Sequence, residues 1–485
     1  MLQVSENEVK SRLLFDNPWW EEGAGIDSRR QEYPRRSYFL PFYKLVLDES
    51  VNRAIVLMGP RRVGKTVMVY HTVQKLLSEG VKGNQILYLS LETPIYTGLS
   101  LEKLVILFQS LFSHKREDKL YIFFDEIQYL KNWEVHLKSL VDSFSTYKFV
   151  ATGSAAAALR LKSRESGAGR FTDFILPPLT FSEYLLFISK EEELISESVG
   201  DNDRPLYSAN DINDLNQEFI NYLNYGGYPE AVFSKTIQEN SGQYIKSDII
   251  DKVLLRDLPS LYGINDIQEL NRLFTVVAYN SGNEINLEGL CQSAGIAKNT
   301  IKKYLAYLEA AFLIKRIHRV DQNSKRFKRE TFFKVYLTNP SMRAALFGNI
   351  EDDSEAIGSL TETAIYSQWL HSEIIENLHY ARWKEGEVDL VYLDLKSQIP
   401  LWLVEVKWSD RAITDRAEIK GTLDFAGKHA DHLYQEGIMV TTKTKTDERY
   451  HEDKLIEFKP SSLYAYTVGK NLTDRLLDRF INSQS

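Results

Sequence analysis

Gly59-Pro60-Arg61-Arg62-Val63-Gly64-Lys65-Thr66 decides how the first part of this chain folds. The octet fits G-x-x-x-x-G-K-[ST], a glycine loop whose backbone N–H groups wrap phosphates. Its flanks agree. Residues 53–58 are a mostly apolar run that predicts a buried strand, and residues 66–77 carry Val67, Tyr70, Val73, Gln74 and Leu77 at helical spacing. Strand, loop and helix together aim a helix N-terminus at an anion. Gly59, Pro60, Arg61, Arg62, Val63 and Gly64 are then expected to cradle ATP, Lys65 to reach its β- and γ-phosphates, and Thr66 to ligate Mg²⁺.

Such a loop needs a second acidic site. Lys119-Leu120-Tyr121-Ile122-Phe123-Phe124-Asp125-Glu126 predicts a buried strand ending in two acids. Asp125 is expected to hold Mg²⁺ through water, and Glu126 to polarise the attacking water as general base. Residues 85–90 predict another strand. Tyr147-Lys148-Phe149-Val150-Ala151-Thr152-Gly153-Ser154 predicts a further one, ending in hydroxyls. Ser154 is the expected γ-phosphate sensor, with Thr152 the other candidate. A fifth strand, residues 171–176, ends at Pro177-Pro178. Alternating strands and helices predict a parallel α/β sheet with its ligand at the strand C-termini.

Composition narrows the rest. The chain has 485 residues, 43% of them hydrophobic, enough for about three domains. Its one cysteine, Cys291, excludes an internal disulfide framework and a zinc finger, and is expected to be a core thiol. With no charged-then-apolar leader at Met1, this favours a cytoplasmic protein. No apolar run approaches the ~20 residues that span a bilayer. The net charge of −8 means that nucleic-acid binding must rest on local patches. Residues 191–214 and 441–453 read as loose polar insertions.

Residues 285–308 carry such a patch. Leu287 and Leu290 face inward on a short helix, Gly295 turns the chain, and a second helix buries Ile301, Leu305 and Leu308. This is a helix-turn-helix, with strands and a wing expected around Phe312-Leu313-Ile314 and Asp321-Gln322-Asn323-Ser324. Residues 296–330 hold ten basic residues against three acidic ones, inside an acidic chain. Lys298, Asn299, Lys302 and Lys303 point outward on the second helix. DNA contact and packing against a partner domain both fit this module.

The C-terminal part holds a second constellation. A helix over residues 355–375 carries Glu362. A strand, a turn at Lys384-Glu385-Gly386 and the strand Glu387-Val388-Asp389-Leu390-Val391-Tyr392-Leu393 follow. In the next strand, Leu401-Trp402-Leu403-Val404-Glu405-Val406-Lys407-Trp408, alternation puts Glu405 and Lys407 on one face. Glu362, Asp389 and Glu405 are the expected ligands of Mg²⁺ or Mn²⁺, with Lys407 orienting water or neutralising a phosphate.

These residues carry two resemblances. The P-loop, Asp125-Glu126, Ala151-Thr152-Gly153-Ser154 and Gly169-Arg170 resemble an AAA-type ATPase. The chain is more narrowly similar to prokaryotic ATPases fused to a C-terminal domain of restriction-endonuclease type. Asn17-Pro18-Trp19-Trp20, Pro34-Arg35-Arg36, Pro178-Leu179-Thr180-Phe181-Ser182-Glu183-Tyr184 and Gly226-Gly227-Tyr228-Pro229-Glu230 fit that family. The resemblance implies an arginine finger from a neighbouring subunit, at Arg170 or else Arg164 or Arg160, and hence a homo-oligomer. It also implies a helical lid that includes residues 222–230. Glu362, Asp389, Glu405 and Lys407 resemble the PD-(D/E)xK nuclease pattern, with Val388 where that pattern has proline.

The expected architecture is therefore α/β. An AAA-type P-loop sheet spans residues 1–178, a helical lid and linker 179–262, a winged helix-turn-helix 263–340 and a restriction-endonuclease-like domain 341–485. The expected function is Mg-ATP hydrolysis coupled to nucleic-acid binding and metal-dependent DNA cleavage. The alternative is an ATP-dependent regulatory switch whose C-terminal modules bind DNA or protein without cutting.

Overall fold

Five short strands, β1 (Ala54–Met58), β2 (Ile86–Ser90), β3 (Tyr121–Asp125), β4 (Lys148–Gly153) and β5 (Phe171–Ile175), pair in parallel in the order β2-β3-β4-β1-β5. They belong to a computed structural model that describes residues 5–153, 169–200, 205–327, 331–451 and 453–482. β1 and β3 are buried along their whole length, which is why they read as continuous apolar runs. β4 lies between them, pairing Leu57 with Thr152 on one side and Phe124 with Ala151 on the other. The C-terminal ends of the three central strands therefore share one edge of the sheet. The helix after β1, Lys65–Ser78, buries Met68, Val69, Tyr70, Val73 and Leu76. Val67 and Leu77, expected inward, are half-buried, because the helix is covered over a wider arc than one stripe.

The Asn-Pro-Trp-Trp motif closes the open edge of this sheet. Asn17 is fully buried beside β2. Its amide N–H donates to the Tyr88 carbonyl at 3.0 Å, and its oxygen accepts the Tyr88 N–H at 2.6 Å. One side chain thus satisfies both backbone groups of a strand residue, as a neighbouring strand would. Trp19 and Trp20 both donate their indole N–H to the Ile86 carbonyl, at 3.2 and 2.7 Å.

The chain forms two compact units. One ends at Pro177 and takes up the chain again from Asp474; the other is Pro178–Thr473. In the second unit, Thr180 and Glu183 form a capping box on helix Phe181–Phe187. The described residues of 191–214, expected to be a loose insertion, are instead ordered into regular elements. They contain helix Glu191–Leu194 and the hairpin β6 (Ile195–Val199) and β7 (Pro205–Ala209). Three buried anchors, Leu194, Ile195 and Tyr207, hold them, and Tyr207 packs edge-on against Tyr466.

Nine strands make the second unit's sheet: β8 (Glu284–Asn286), β9 (Ile314–Val320), β10 (Phe332–Leu337), β11 (Leu378–Trp383), β12 (Gly386–Leu393), β13 (Pro400–Glu405), β14 (Ile438–Thr442), β15 (Asp447–His451) and β16 (Lys454–Pro460). Their order is β15-β16-β14-β13-β12-β11-β9-β10-β8. Residues 441–453, expected to be loose, include the β15 edge strand. β9 pairs in parallel with β11, so one ladder runs through the expected boundary at 340/341. Helices Leu287–Ala294 and Lys298–Ala310 are joined at Gly295, whose φ of 69° lies in the left-handed region that glycine adopts without a Cβ clash. Leu287, Leu290, Ile301, Leu305 and Leu308 are buried, whereas Cys291 is only half-buried rather than a core thiol. Its place one turn from Leu287 leaves it at the rim of the apolar stripe. Among the described residues, no helix is long and apolar enough to cross a membrane.

Candidate functional site

β1 delivers the glycine loop to the C-terminal edge of the first sheet. Gly59 has φ 156°, and a Cβ there would stand 2.2 Å from the Leu176 carbonyl oxygen, so the loop's first residue cannot carry a side chain. Gly64 caps the following helix with φ 96°. Lys65 is buried and folds back over the loop, donating to the Gly59 and Pro60 carbonyls at 3.0 and 2.6 Å. Arg36 braces the far side. Its guanidinium is buried and donates to the Val63 carbonyl at 2.8 Å and the Pro177 carbonyl at 3.0 Å.

Thr66 and Asp125, each expected at a magnesium ion, are hydrogen-bonded to one another. The Thr66 hydroxyl donates to an Asp125 carboxylate oxygen at 2.8 Å. Tyr88 donates to the same oxygen at 2.8 Å, and Thr152 donates to the other. Asp125 is thereby fixed from β2, β4 and the loop helix at once. A hydroxyl and a carboxylate side by side are the hard oxygen donors Mg²⁺ takes when it also binds phosphates, so these residues fit that ion. Thr152 also accepts the Glu126 backbone N–H at 3.1 Å. It therefore positions both acids, a role its strand-end location alone did not disclose.

Glu126 sits in the left-handed region with φ 55°, a conformation uncommon for a non-glycine residue. Gln128 donates to its carboxylate. Burial pushes its pKa up, Lys65 and Arg61 pull it down, and Asp125 adds to the rise. A half-buried carboxylate of raised basicity beside the glycine loop suits a general base.

Ser154, Arg160 and Arg164 lie outside the described residues. Arg170 is at the other end of the sheet: its carbonyl accepts the N–H of Ala54, the first residue of β1. Roughly 13 Å of strand separates that end from the loop. Arg170 pairs there with Asp142, both half-exposed, and does not join the loop of its own chain.

The second unit brings together Glu362, Asp389, Glu405 and Lys407, but not as a metal pocket. Among the described residues, no group of three or more acidic, histidine or cysteine side chains is placed to hold a metal ion. A residue that sequence reading missed fills the centre. Lys334, on β10, reaches Glu362 at 2.8 Å, Glu387 at 2.9 Å and Asp389 at 3.0 Å, with its side chain 3% exposed. Lys407 is spent on Glu405 at 2.8 Å, and Thr422 donates to the other Glu405 oxygen at 2.7 Å. Asp389 accepts the Val406 N–H at 2.9 Å. Burial, reinforced by Asp389, lifts the Glu362 carboxyl to about 7 and the Glu405 carboxyl to about 8. Burial acts the same way on Asp389, but Lys334 and Lys407 outweigh it and hold that carboxyl below its ordinary value.

Lys298, Asn299, Lys302 and Lys303 are all exposed on helix Lys298–Ala310, and Lys298 lies 3.6 Å from Glu288. The Lys302 and Lys303 side chains stand one turn beyond Lys298 and Asn299, a spacing that presents a basic strip.

Residues 51–185 match the family described as an AAA domain, and residues 216–353 match a domain of unknown function. An uncharacterized protein of Haemophilus influenzae is 28% identical over 303 residues, covering 60% of this chain and 69% of its own. An uncharacterized protein of Methanocaldococcus jannaschii is 24% identical over 347 residues, covering 70% of this chain and 72% of its own. Among solved structures, a replication initiator DnaA bound to AMPPCP and single-stranded DNA aligns at 11% identity and TM-score 0.30, over 59% of this chain and 92% of that one. The AAA-domain match takes in β1 to β5 together with the glycine loop and both acids of the β3 edge. The first unit of this chain thus contains an AAA-type, ATPase-like domain.

Proposed function

We propose that this chain is a Mg-ATP hydrolase whose nucleotide state governs nucleic-acid binding by helix Lys298–Ala310. The observation that carries the hydrolase is the single network of Thr66, Asp125, Thr152 and Glu126 at the mouth of the glycine loop. Thr66 and Asp125 would hold the magnesium ion, which supplies charge neutralisation to the phosphates when bound. Lys65 adds a second positive charge, Glu126 orients and deprotonates water, and Thr152 keeps both acids in place. Arg170, remote from its own loop, is offered to the loop of a neighbouring copy. The exposed basic strip supports the nucleic-acid part, since lysines in water-facing positions suit phosphate contacts. The second unit's acids are already partnered, so cleavage is not assigned to them.

Phosphate release from ATP, measured for the wild-type chain and for Lys65→Ala, tests the hydrolase; equal rates would sink it. Fluorescence anisotropy with labelled duplex DNA at rising salt, with and without ATP, tests the coupling. Binding that is unmoved by ATP would refute it. No binding at any salt would instead make the helix a protein-packing surface.

A further inference from the structure

Lys334 is in an unusual place for a lysine. It stands in the strand Phe332-Phe333-Lys334-Val335-Tyr336-Leu337, with Phe333, Val335, Tyr336 and Leu337 all buried around it. A side chain of this kind is almost never buried unless it is paired. Here its ammonium donates to Glu362, from helix Ile357–Gln368, at 2.8 Å and to Asp389, from β12, at 3.0 Å, and forms an ion pair with Glu387 of β12 at 2.9 Å. The Tyr380 ring lies 5.6 Å from the ammonium. All three partners are carboxylate oxygens, the strongest acceptors an ammonium meets.

We propose that Lys334 is a resident cation: its ammonium takes the position a divalent ion would otherwise occupy among Glu362, Glu387 and Asp389, so the protein fills this acidic pocket itself. Three further observations support a permanent occupant rather than a removable plug. β10 is hydrogen-bonded on both sides, with Lys334 in register with Glu284 of β8 and Ile317 of β9. The strand that carries the lysine is therefore held on both edges. Nearby oxygens are committed too: Tyr336 donates to the same Glu362 oxygen as Lys334, the second Asp389 oxygen accepts the Val406 N–H, and Glu405 is held by Lys407 and Thr422. Finally, a divalent ion entering beside a buried ammonium would meet like charge at short range in a poorly screened site.

Removing the ammonium reverses this logic. Lys334→Met keeps most of the apolar stem but leaves three facing carboxylates, which are hard oxygen donors suited to Mg²⁺ or Mn²⁺. The variant is expected to be less stable than wild type without metal and to regain stability with it.

The test uses the full chain, stripped of metal, with Mn²⁺ alone as the probe. Mn²⁺ binding is followed by electron paramagnetic resonance, and thermal unfolding is followed in parallel. The wild-type chain and Asp389→Asn should bind the same amount of Mn²⁺, because the pocket takes none. Uptake near Thr66 and Asp125 is common to both and drops out of the comparison. Lys334→Met should gain a site with roughly tenfold or more higher Mn²⁺ affinity than wild type shows there, and a melting temperature that rises with Mn²⁺. Adding Asp389→Asn to Lys334→Met should abolish both gains. An Asp389-dependent Mn²⁺ site in the wild-type chain overturns the proposal, whether or not Lys334→Met folds. A folded Lys334→Met with no Mn²⁺ response overturns it equally. Neither result touches the ATP hydrolase, which is read from phosphate release.

Discussion

The Thr66 hydroxyl stands 2.8 Å from a carboxylate oxygen of Asp125, joining the end of the glycine loop to the end of β3. Replacing either partner removes one oxygen donor from the place where magnesium is expected. Thr66→Ala and Asp125→Asn should each lower ATP turnover by roughly 10²-fold or more, and raise the magnesium concentration needed for half-maximal rate. Steady-state phosphate release across a magnesium series checks this. An unchanged magnesium dependence would count against the pairing as an ion site.

Lys65 and Glu126 should separate binding from chemistry. Lys65→Ala is expected to lose both nucleotide affinity and hydrolysis. Glu126→Gln keeps the shape of the side chain and removes the base, so nucleotide binding should persist while turnover falls by about 10²- to 10⁴-fold. Calorimetric titration with ATP beside a turnover assay distinguishes the two. Thr152→Val should resemble Glu126→Gln in direction, because Thr152 holds the Glu126 N–H and the Asp125 carboxylate.

Asn17 is a stability residue for the first unit. Asn17→Leu leaves the buried Tyr88 N–H and C=O without partners. The cost should be on the order of 2–4 kcal/mol, the penalty for two orphaned backbone groups at ~1–3 kcal/mol each, partly offset by relaxation. Denaturant unfolding followed by tryptophan fluorescence measures it, since Trp19 and Trp20 report on that edge.

The second unit should lose stability as pH rises. Glu362 and Glu405 titrate near 7 and 8 when folded, above the ordinary carboxylate value near 4.5. The folded state therefore binds more protons than the unfolded state between about 4.5 and 8, and ΔG of unfolding falls across that window. Glu405→Gln cannot titrate. The wild-type chain should lose more stability than Glu405→Gln between pH 5 and pH 8, as read by urea unfolding at each pH; parallel profiles would contradict the assignment.

The basic strip makes a quantitative demand. If Lys302 and Lys303 each contact a phosphate, the double variant Lys302→Ala/Lys303→Ala should weaken DNA binding at low salt. It should also reduce the slope of log affinity against log salt by about 2. A weaker affinity with an unchanged slope would mean that the helix is not at the DNA.

The first unit was legible because its structure writes itself locally. Buried parallel strands appear as apolar runs, so β1 to β5 fall within a residue or two of the expected positions. Gly59, Lys65, Thr66, Asp125 and Glu126 announce themselves by residue type at a strand end. What stayed hidden depends on distant partners. Asn17 acts on a residue 71 positions away, and Lys334 on acids 28 and 55 positions away. Alone in a strand, Lys334 reads as a solvent-facing residue, and only the fold shows the carboxylates that surround it. The 191–214 stretch misled for the opposite reason. Among its described residues most polar side chains are exposed, while Leu194, Ile195 and Tyr207 are buried and fix its course.

Arg36 gives the nucleotide loop a mechanical reach beyond its chemistry. One guanidinium grips the Val63 carbonyl within the loop and the Pro177 carbonyl, at the last residue before the chain enters the second unit. The glycine loop and the segment where the chain departs are tied by the same planar fork. A shift of the loop by a fraction of an ångström must either stretch one of these bonds or carry the departing peptide along. Arg36 thus makes the glycine loop and the exit of the chain the two jaws of one clamp.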